Sequence, residues 1–181
     1  MKTLILAFLL LLGGCFDPVA ESTVLLMGDS IAQEITDEMS FEIHWQDNAP
    51  IFIVNSIGGM TAAFGDAGEY WAGRIRQANA DTIFISLGTN DAAAKIELVD
   101  FDYAAHLILD AAGDAKVYWL LPSPSSDIEG MMEVRAVISE VVAMYPNVEV
   151  VEVGEGLLDT DNIHLSDEGE LETAKQFIGL L

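Results

Sequence analysis

The sequence predicts a doubly wound α/β domain, in which helices cover both faces of a parallel sheet. Three observations indicate this class. Five short apolar runs recur along the 181 residues, segments with helical spacing separate them, and the runs are apolar almost continuously. Because strands of a parallel sheet are buried on both faces, they carry such continuous runs instead of alternating apolar and polar residues.

The lengths and spacing of these runs place each element. A Ser-Asp-Glu start opens the last predicted helix, as expected of a helix N-terminus. Five strands favour the three-layer, flavodoxin-like strand order 2-1-3-4-5 over the six-stranded alternative. The predicted strands are 23–27, 51–55, 82–87, 116–121 and 148–153. The predicted helices are 31–40, 61–78, 103–112, 128–144 and 166–180.

The amino terminus predicts export. A short charged start is followed by an apolar run over 4–12, too short for a membrane-spanning helix of ~20 residues. We therefore interpret 1–14 as a signal peptide and 22–181 as one domain.

The signal ends in Leu12-Gly13-Gly14-Cys15, which resembles the lipobox of bacterial lipoproteins. The resemblance implies that Cys15 is lipidated, that 15–21 is a tether, and that the protein is anchored to a bacterial membrane of the cell envelope, facing the periplasm or the surface. Lipidation would also explain why Cys15 is the single cysteine of an exported chain. The alternative is an ordinary secretory signal.

The charge excludes one class of partner. Thirty acidic residues against seven basic ones give a formal charge of −23. Binding to nucleic acid requires Lys and Arg to neutralise phosphates, so nucleic acid is excluded, and a strongly anionic substrate would be repelled. The acidic residues are scattered, which indicates a solvated surface.

The residues that follow each strand are the informative ones, because ligands of such folds bind at the carboxyl edge of the sheet. After the first strand, Gly28-Asp29-Ser30 places a hydroxyl at the start of a helix, where free N–H groups could stabilise developing negative charge. The alternative is that Asp29 or Ser30 is only an N-cap.

Two further loops could supply hydrogen-bond donors. Gly58 and Gly59 after the second strand permit close backbone approach, although a plain turn with Thr61 as a helix cap is the alternative. Asn90 after the third strand could offer its amide to an oxyanion, or could form an Asx turn. The proline-stiffened loop 122–126 after the fourth strand carries no chemistry that we can name.

An acid and a base precede the last helix. Asp161 and His164 stand three residues apart, and a serine nucleophile needs a base of near-neutral pKa with a third group to orient it. Of the three histidines, His44 lies in a polar stretch and His106 inside a predicted helix, so His164 alone falls at the expected edge.

Together these four blocks resemble the SGNH, or GDSL-type, hydrolase superfamily. The matching stretches are Gly28-Asp29-Ser30-Ile31, 57–61, Gly88-Thr89-Asn90-Asp91 and 161–166, each in the family's order and each after a strand. The resemblance implies that Ser30 is the nucleophile, His164 the general base and Asp161 the group that orients it. It also implies an oxyanion hole built from the backbone N–H groups of Ser30 and Gly59 and the side-chain amide of Asn90.

The glycine block departs from the family pattern. Ser56 stands where glycine is frequent and Met60 where a polar residue is frequent, so Gly58 remains an alternative donor to Gly59. The activity implied is that of a serine esterase forming an acyl-enzyme, monomeric and without cofactor or metal. Its substrate would be a small-molecule or glycan ester: a short acyl ester, an acetylated carbohydrate or a lysophospholipid.

Two other functions are compatible with the predicted fold. One is a non-catalytic binding protein of the cell envelope, although every residue that the chemistry needs is present. The other is a nucleotide-binding protein, which the sequence disfavours because no Gly-x-Gly-x-x-Gly follows the first strand and no basic residues cluster for phosphates.

Overall fold

A five-stranded sheet forms the centre of the computed structural model, which describes residues 22–44, 49–124, 127–152 and 157–181. All neighbouring strands are parallel and follow the order β2-β1-β3-β4-β5. The predicted fold class and strand order are therefore confirmed. The strands are β1 (Thr23–Gly28), β2 (Ile51–Ser56), β3 (Thr82–Ser86), β4 (Lys116–Leu121) and β5 (Val148–Glu152).

Helices cover both faces of this sheet, as the continuous apolar runs predict. On one face, α3, α5 and α6 bury side chains such as Trp71, Phe101 and Ile138 against it. On the other face, α1, α2 and α7 enclose a second core, in which the Phe84 ring stacks on the Phe177 ring with 4.4 Å between centroids. The helices are α1 (Ser30–Glu34), α2 (Thr36–His44), α3 (Ala67–Ala78), α4 (Thr89–Ala93), α5 (Leu98–Ala112), α6 (Met131–Val142) and α7 (Asp167–Ile178).

Several predicted helix boundaries are wrong. The helix predicted over 31–40 is two helices, which Ile35 separates at a turn. The helix predicted from residue 103 begins five residues earlier, at Leu98, and the one predicted over 128–144 is shorter at both ends. The short helix α4 was not predicted, because a five-residue helix is too short to show a period.

The largest error concerns the helix predicted over 61–78, which begins only at Ala67. The buried carboxylate of Asp91 accepts hydrogen bonds from the backbone N–H groups of Ala62 and Ala63, at 2.8–3.0 Å, and so holds this stretch in a loop. Thr61 is not the helix cap, because Asp66 is the N-cap residue of this helix; the Thr61 hydroxyl accepts from the N–H of Phe64 at 3.0 Å within the loop.

Gly28 makes the turn that ends β1 possible. Its φ of +150° is open to glycine, and a Cβ at this position would lie 2.1 Å from the Ser86 carbonyl oxygen of β3. The adjacent Asp29 N–H donates to that same oxygen at 3.0 Å, and the Gly28 carbonyl accepts from Ile57 at 2.9 Å. The turn is therefore bonded to the strands on both sides.

The predicted signal peptide 1–14, the tether 15–21 and Cys15 lie outside the described residues, as do 125–126 of the proline loop and Val153 at the end of the fifth predicted strand. The division of the chain into signal, tether and domain stays a prediction. Within the described ranges, no helix combines the length and the apolar character needed to cross a membrane.

Candidate active site

The nucleophile candidate Ser30 is the first residue of α1. Asp29 is the N-cap of that helix, because its Oδ1 accepts a hydrogen bond from the Ile31 N–H at 3.1 Å. The capping role thus belongs to Asp29, and the Ser30 hydroxyl contacts a different group. Ser30 is half-buried at the carboxyl end of β1, where the predicted fold places ligands.

The structure brings Ser30, His164 and Asp161 together. His164 Nε2 lies 3.1 Å from Ser30 Oγ, and His164 Nδ1 lies 2.6 Å from Asp161 Oδ2. A carboxylate can only accept, so Nδ1 carries the proton of the neutral ring and Nε2 accepts from the serine hydroxyl. This arrangement allows a proton to pass from Ser30 to His164 while Asp161 holds the ring in place.

Asp161 and His164 belong to one loop, 158–165, which we call the acid–base loop. An antiparallel bridge pairs Leu158 with Leu165 and closes the loop at its base. Next to that bridge, the Asp159 N–H donates to the His164 carbonyl at 2.8 Å. The loop is therefore a hairpin-like unit that carries both groups.

The Asp161 carboxylate also organises the backbone of the acid–base loop. Its Oδ1 accepts from the N–H groups of Ile163 and His164, both at 2.9 Å, while its Oδ2 faces the imidazole. Asn162 adopts a left-handed φ of +56°, which asparagine tolerates in tight turns. The spacing of three residues between acid and base thus follows from an Asx turn.

The pKa values of Asp161 and His164 are shifted in opposite directions, as expected of an acid that orients a base. Hydrogen bonds from the His164 ring and from backbone N–H groups lower the pKa of Asp161 to about 2. The hydrogen bond to Asp161 raises the pKa of His164 above its ordinary value of 6.5, and the nearby charge of Glu34 adds to that effect. Asp161 is consequently ionised across the range in which His164 titrates.

The other two histidines lie elsewhere. His44 ends α2, and His106 lies within α5 with its Nδ1 2.8 Å from the Tyr145 hydroxyl. Of the three, His164 is the one whose ring meets Ser30, and its role as the base stays a prediction.

The two glycines of the second block form the centre of a turn. The Met60 N–H donates to the Ile57 carbonyl at 3.2 Å, so Gly58 and Gly59 are its central residues, and Gly59 has a φ of +75°. Both glycines are exposed. A Cβ on Gly59 would meet nothing within 4 Å, whereas one on Gly58 would lie 3.0 Å from Gln33 Oε1. Gly59 is therefore required for its backbone conformation, and its role as a donor stays a prediction.

Asn90 lies on α4, not in a loop, and connects two of the blocks. Its Nδ2 donates to Asp29 Oδ2 at 3.1 Å and to the Met60 carbonyl at 3.2 Å. The amide thus joins the turn at Gly28 and Asp29 to the turn centred on Gly58 and Gly59, which we call the glycine turn. To stabilise an oxyanion, one of its two N–H bonds must turn from its present acceptor when substrate binds.

Two buried carboxylates of these blocks also shape the site: the sequence indicated Asp29 only as an alternative N-cap and gave no role to Asp91. Asp29 and Asp91 are 1% and 0% exposed. Burial raises the pKa of Asp29 to about 7 and also raises the pKa of Asp91. Asp29 accepts from Ile31 and Asn90, and Asp91 holds the loop after the glycine turn, so both position the site. The signal was their place in the Gly-Asp-Ser and Asn-Asp motifs.

Sequence reasoning also missed Glu34, which follows Ser30 by one helical turn and so lies on the same face of α1. Its Oε2 accepts from the Leu165 N–H at 3.0 Å, and its Oε1 lies 3.7 Å from His164 Nε2.

A cavity of about 630 Å³ opens beside His164. Carboxylates form most of its lining, which comprises Glu34, Asp159, Asp161, Asp167, Glu168 and Glu170 together with His164, Leu165 and Ser166. Among the residues that the structure describes, no group of three or more His, Cys, Asp or Glu side chains is arranged to hold a metal ion. The lining disfavours anionic ligands at this edge.

No protein-family model and no curated protein sequence matches the chain. Solved structures do. A lipase/acylhydrolase from Enterococcus faecalis superimposes with a TM-score of 0.74 at 19% identity, over 88% of this chain and 95% of the other. A protein from Desulfitobacterium hafniense DCB-2, described as lipolytic and of the G-D-S-L family, superimposes with a TM-score of 0.71 at 17% identity. The match covers 89% of this chain and 100% of the other.

The acetylxylan esterase Axe2 from Geobacillus stearothermophilus is similar as well, with a TM-score of 0.69 at 17% identity over 87% of this chain and 93% of that one. These neighbours share an arrangement that extends over almost the whole described domain. The chain therefore has the α/β fold of the SGNH, or GDSL-type, hydrolases.

Proposed function

We propose that the protein is a serine esterase that hydrolyses a carboxylic ester through an acyl-enzyme. The observation that carries the proposal is the continuous hydrogen-bond chain from Asp161 through His164 to Ser30, with distances of 2.6 and 3.1 Å. A nucleophile, a base and an orienting acid in this order are the requirements of acyl transfer. The esterase and acylhydrolase names of similarly folded proteins support the same reaction class.

The proposed reaction begins with attack of Ser30 Oγ on the ester carbonyl carbon while His164 Nε2 accepts the hydroxyl proton. Negative charge then develops on the carbonyl oxygen, toward the N–H groups of Ser30 and Gly59 and the amide of Asn90. His164 returns its proton to the alcohol that leaves, and an acyl-serine remains. Water then attacks that acyl group with His164 again as base, which releases the carboxylic acid and restores Ser30.

The site favours neutral esters with an accessible acyl group. The side chains of His164 and Asp161 are 40% and 46% exposed, so the reacting groups lie at an open edge and not in a closed tunnel. The acidic lining beside His164 opposes substrates with negative charge near the scissile bond. We propose a short acyl ester, an acetylated carbohydrate or a lysophospholipid as the substrate class.

Hydrolysis of p-nitrophenyl esters of increasing acyl length tests this function. We expect turnover by the wild-type protein, loss of turnover in Ser30→Ala, and retention in the control Ser139→Ala, whose serine lies on α6 and bonds within that helix. A fluorophosphonate should label Ser30 in the wild-type protein. If a folded protein shows neither turnover nor labelling at Ser30, the proposal is wrong and the binding-protein alternative gains support.

We also propose that the protein acts as a monomer, because one chain supplies all three reacting groups, and that it needs no cofactor, because serine acyl transfer needs none.

Anchoring through lipidated Cys15 is a further proposal, and the signal sequence supports it. Cys15→Ala should move the protein from the membrane fraction to the soluble fraction. Unchanged membrane association of that variant would contradict lipidation.

A further inference from the structure

Glu34 connects α1, the helix that begins at Ser30, to the acid–base loop. It is the last residue of α1, its side chain is 20% exposed, and its Oε2 accepts from the backbone N–H of Leu165 at 3.0 Å. Leu165 is buried and directly follows His164. The distance between α1 and the loop is therefore fixed next to the base.

The same carboxylate faces the catalytic side of the imidazole. Glu34 Oε1 lies 3.7 Å from His164 Nε2, the nitrogen that also meets Ser30 Oγ, while Asp161 lies at Nδ1 on the opposite side of the ring. His164 thus lies between two carboxylates, one near each ring nitrogen. Asp161 has a role in the proposed reaction, because its hydrogen bond to Nδ1 orients the ring. The chain of Ser30, His164 and Asp161 gives no such role to Glu34.

We propose that Glu34 is a positioning residue that fixes His164 over Ser30 and stabilises the imidazolium formed when the serine proton is transferred. The proposal rests on the serine-esterase function proposed above. It assigns Glu34 two separable effects, a hydrogen bond to the loop and a negative charge near Nε2.

The hydrogen bond supplies the positioning. A carboxylate that accepts from a backbone N–H in a half-buried place makes a charge-assisted bond, stronger than a neutral one. Because Leu165 is adjacent to His164, loss of this bond allows the ring to move relative to Ser30. A displacement of about 1 Å at a reacting group costs roughly 10²-fold in rate.

The charge acts on the protonation equilibrium of His164. The charged groups that act on the imidazole are Asp161, Glu34 and Asp29. The charged groups near Glu34 are those of His164, Asp29, Asp159, Asp161 and Glu170. Burial raises the pKa of Glu34, whereas the hydrogen bond from the Leu165 N–H and the charge of His164 act in the opposite direction. A negative charge near Nε2 favours the protonated ring.

The test compares Glu34→Gln, which keeps an acceptor for Leu165 but removes the charge, with Glu34→Ala, which removes both. Glu168→Gln is the matched control, because Glu168 lines the same cavity and its charge is exposed on α7. NMR titration of the His164 ring gives a readout that does not depend on turnover. We expect the His164 midpoint to move to lower pH in Glu34→Gln, and by more than in Glu168→Gln.

Salt separates the local effect from the general field of the acidic surface. The shift in Glu34→Gln should persist at about 0.5 M NaCl, because a half-buried pair is screened far less than exposed charges. An unchanged midpoint in Glu34→Gln, or a shift equal to that of Glu168→Gln, would overturn the electrostatic role.

Ester turnover tests the positioning role. At alkaline pH, where His164 is neutral before the reaction, we expect kcat of Glu34→Gln to fall modestly, because the charge that stabilises the imidazolium is lost, and kcat of Glu34→Ala to fall further, by roughly 10²-fold. Wild-type kcat in a folded Glu34→Ala would overturn positioning. If Glu34→Ala does not fold, the positioning role is tested with Glu34→Gln alone. A kcat of Glu34→Gln as low as that of Ser30→Ala would overturn this role. A wild-type protein without turnover contradicts the esterase function, whereas the NMR result still decides the role of Glu34.

Discussion

His164 determines the lower pH limit of the proposed activity. A general base must be neutral, and the hydrogen bond to Asp161 raises the pKa of His164 above its ordinary value. We therefore expect kcat/KM to fall as pH drops through a value above ~6.5, the unperturbed histidine pKa. A pH–rate profile from pH 5 to 9 measures this limit. A flat profile between pH 5 and 8 would show that His164 is not the base.

Three of the site's side chains could be predicted from sequence because each follows a strand or precedes a helix in a recognisable motif. Ser30, Asp161 and His164 meet in the structure as the motif order implied. Glu34 could not be predicted in this way, since a single carboxylate on a helix has the appearance of a solvated residue. Its contact with Leu165 joins residues 131 apart, and that information lies only in the tertiary structure.

At the scale of the element, strands were predicted more accurately than helices. Each strand carries its own evidence, a continuous apolar run, and the five strands begin at the predicted residues. The start of α3 depends instead on Asp91, whose carboxylate accepts from Ala62 and Ala63, 29 and 28 residues away. Because of these hydrogen bonds, the first six predicted residues of that helix form a loop. Local periodicity cannot predict a hydrogen bond from so distant a residue.

The turn that carries Ser30 is another element with a distant cause. The apolar run and Gly28 predicted where this turn lies. The reason that residue 28 must be glycine is the Ser86 carbonyl of β3, which leaves no room for a Cβ, and only the tertiary structure shows it. Asn90 then joins this turn to the glycine turn through Asp29 and Met60. The motifs are thus held together by hydrogen bonds of polar side chains, whose partners a single sequence does not specify.

At the scale of the whole molecule, charge should make stability depend on pH. Burial raises the pKa of Asp29 to about 7 in the folded state, against 3.8 unfolded. The folded protein then binds more protons than the unfolded chain between these values, so stability falls as pH rises from about 4 to 7. The raised pKa of His164 acts in the same direction, because its contribution is present below the unfolded value and is lost as pH rises through the folded one.

We expect a higher Tm at pH 5.5 than at pH 8, by an amount corresponding to about 2 kcal/mol from the buried Asp29, and a weaker pH dependence in Asp29→Asn. Added NaCl should raise Tm at pH 8, because it screens the repulsion within a chain of net charge −23. Differential scanning calorimetry measures both effects. An Asp29→Asn protein with the full wild-type pH dependence would contradict the role assigned to the buried carboxyl.

The site draws its parts from sequence positions far apart, since Ser30 and His164 are separated by 134 residues. Strands β1 to β5 are all complete before the acid–base loop begins, so a nascent chain can possess every strand and still lack its base. Closing so long a loop is among the slower steps that a chain of this topology faces. We therefore expect a refolding protein to regain its helical signal before it regains turnover of the proposed ester substrate.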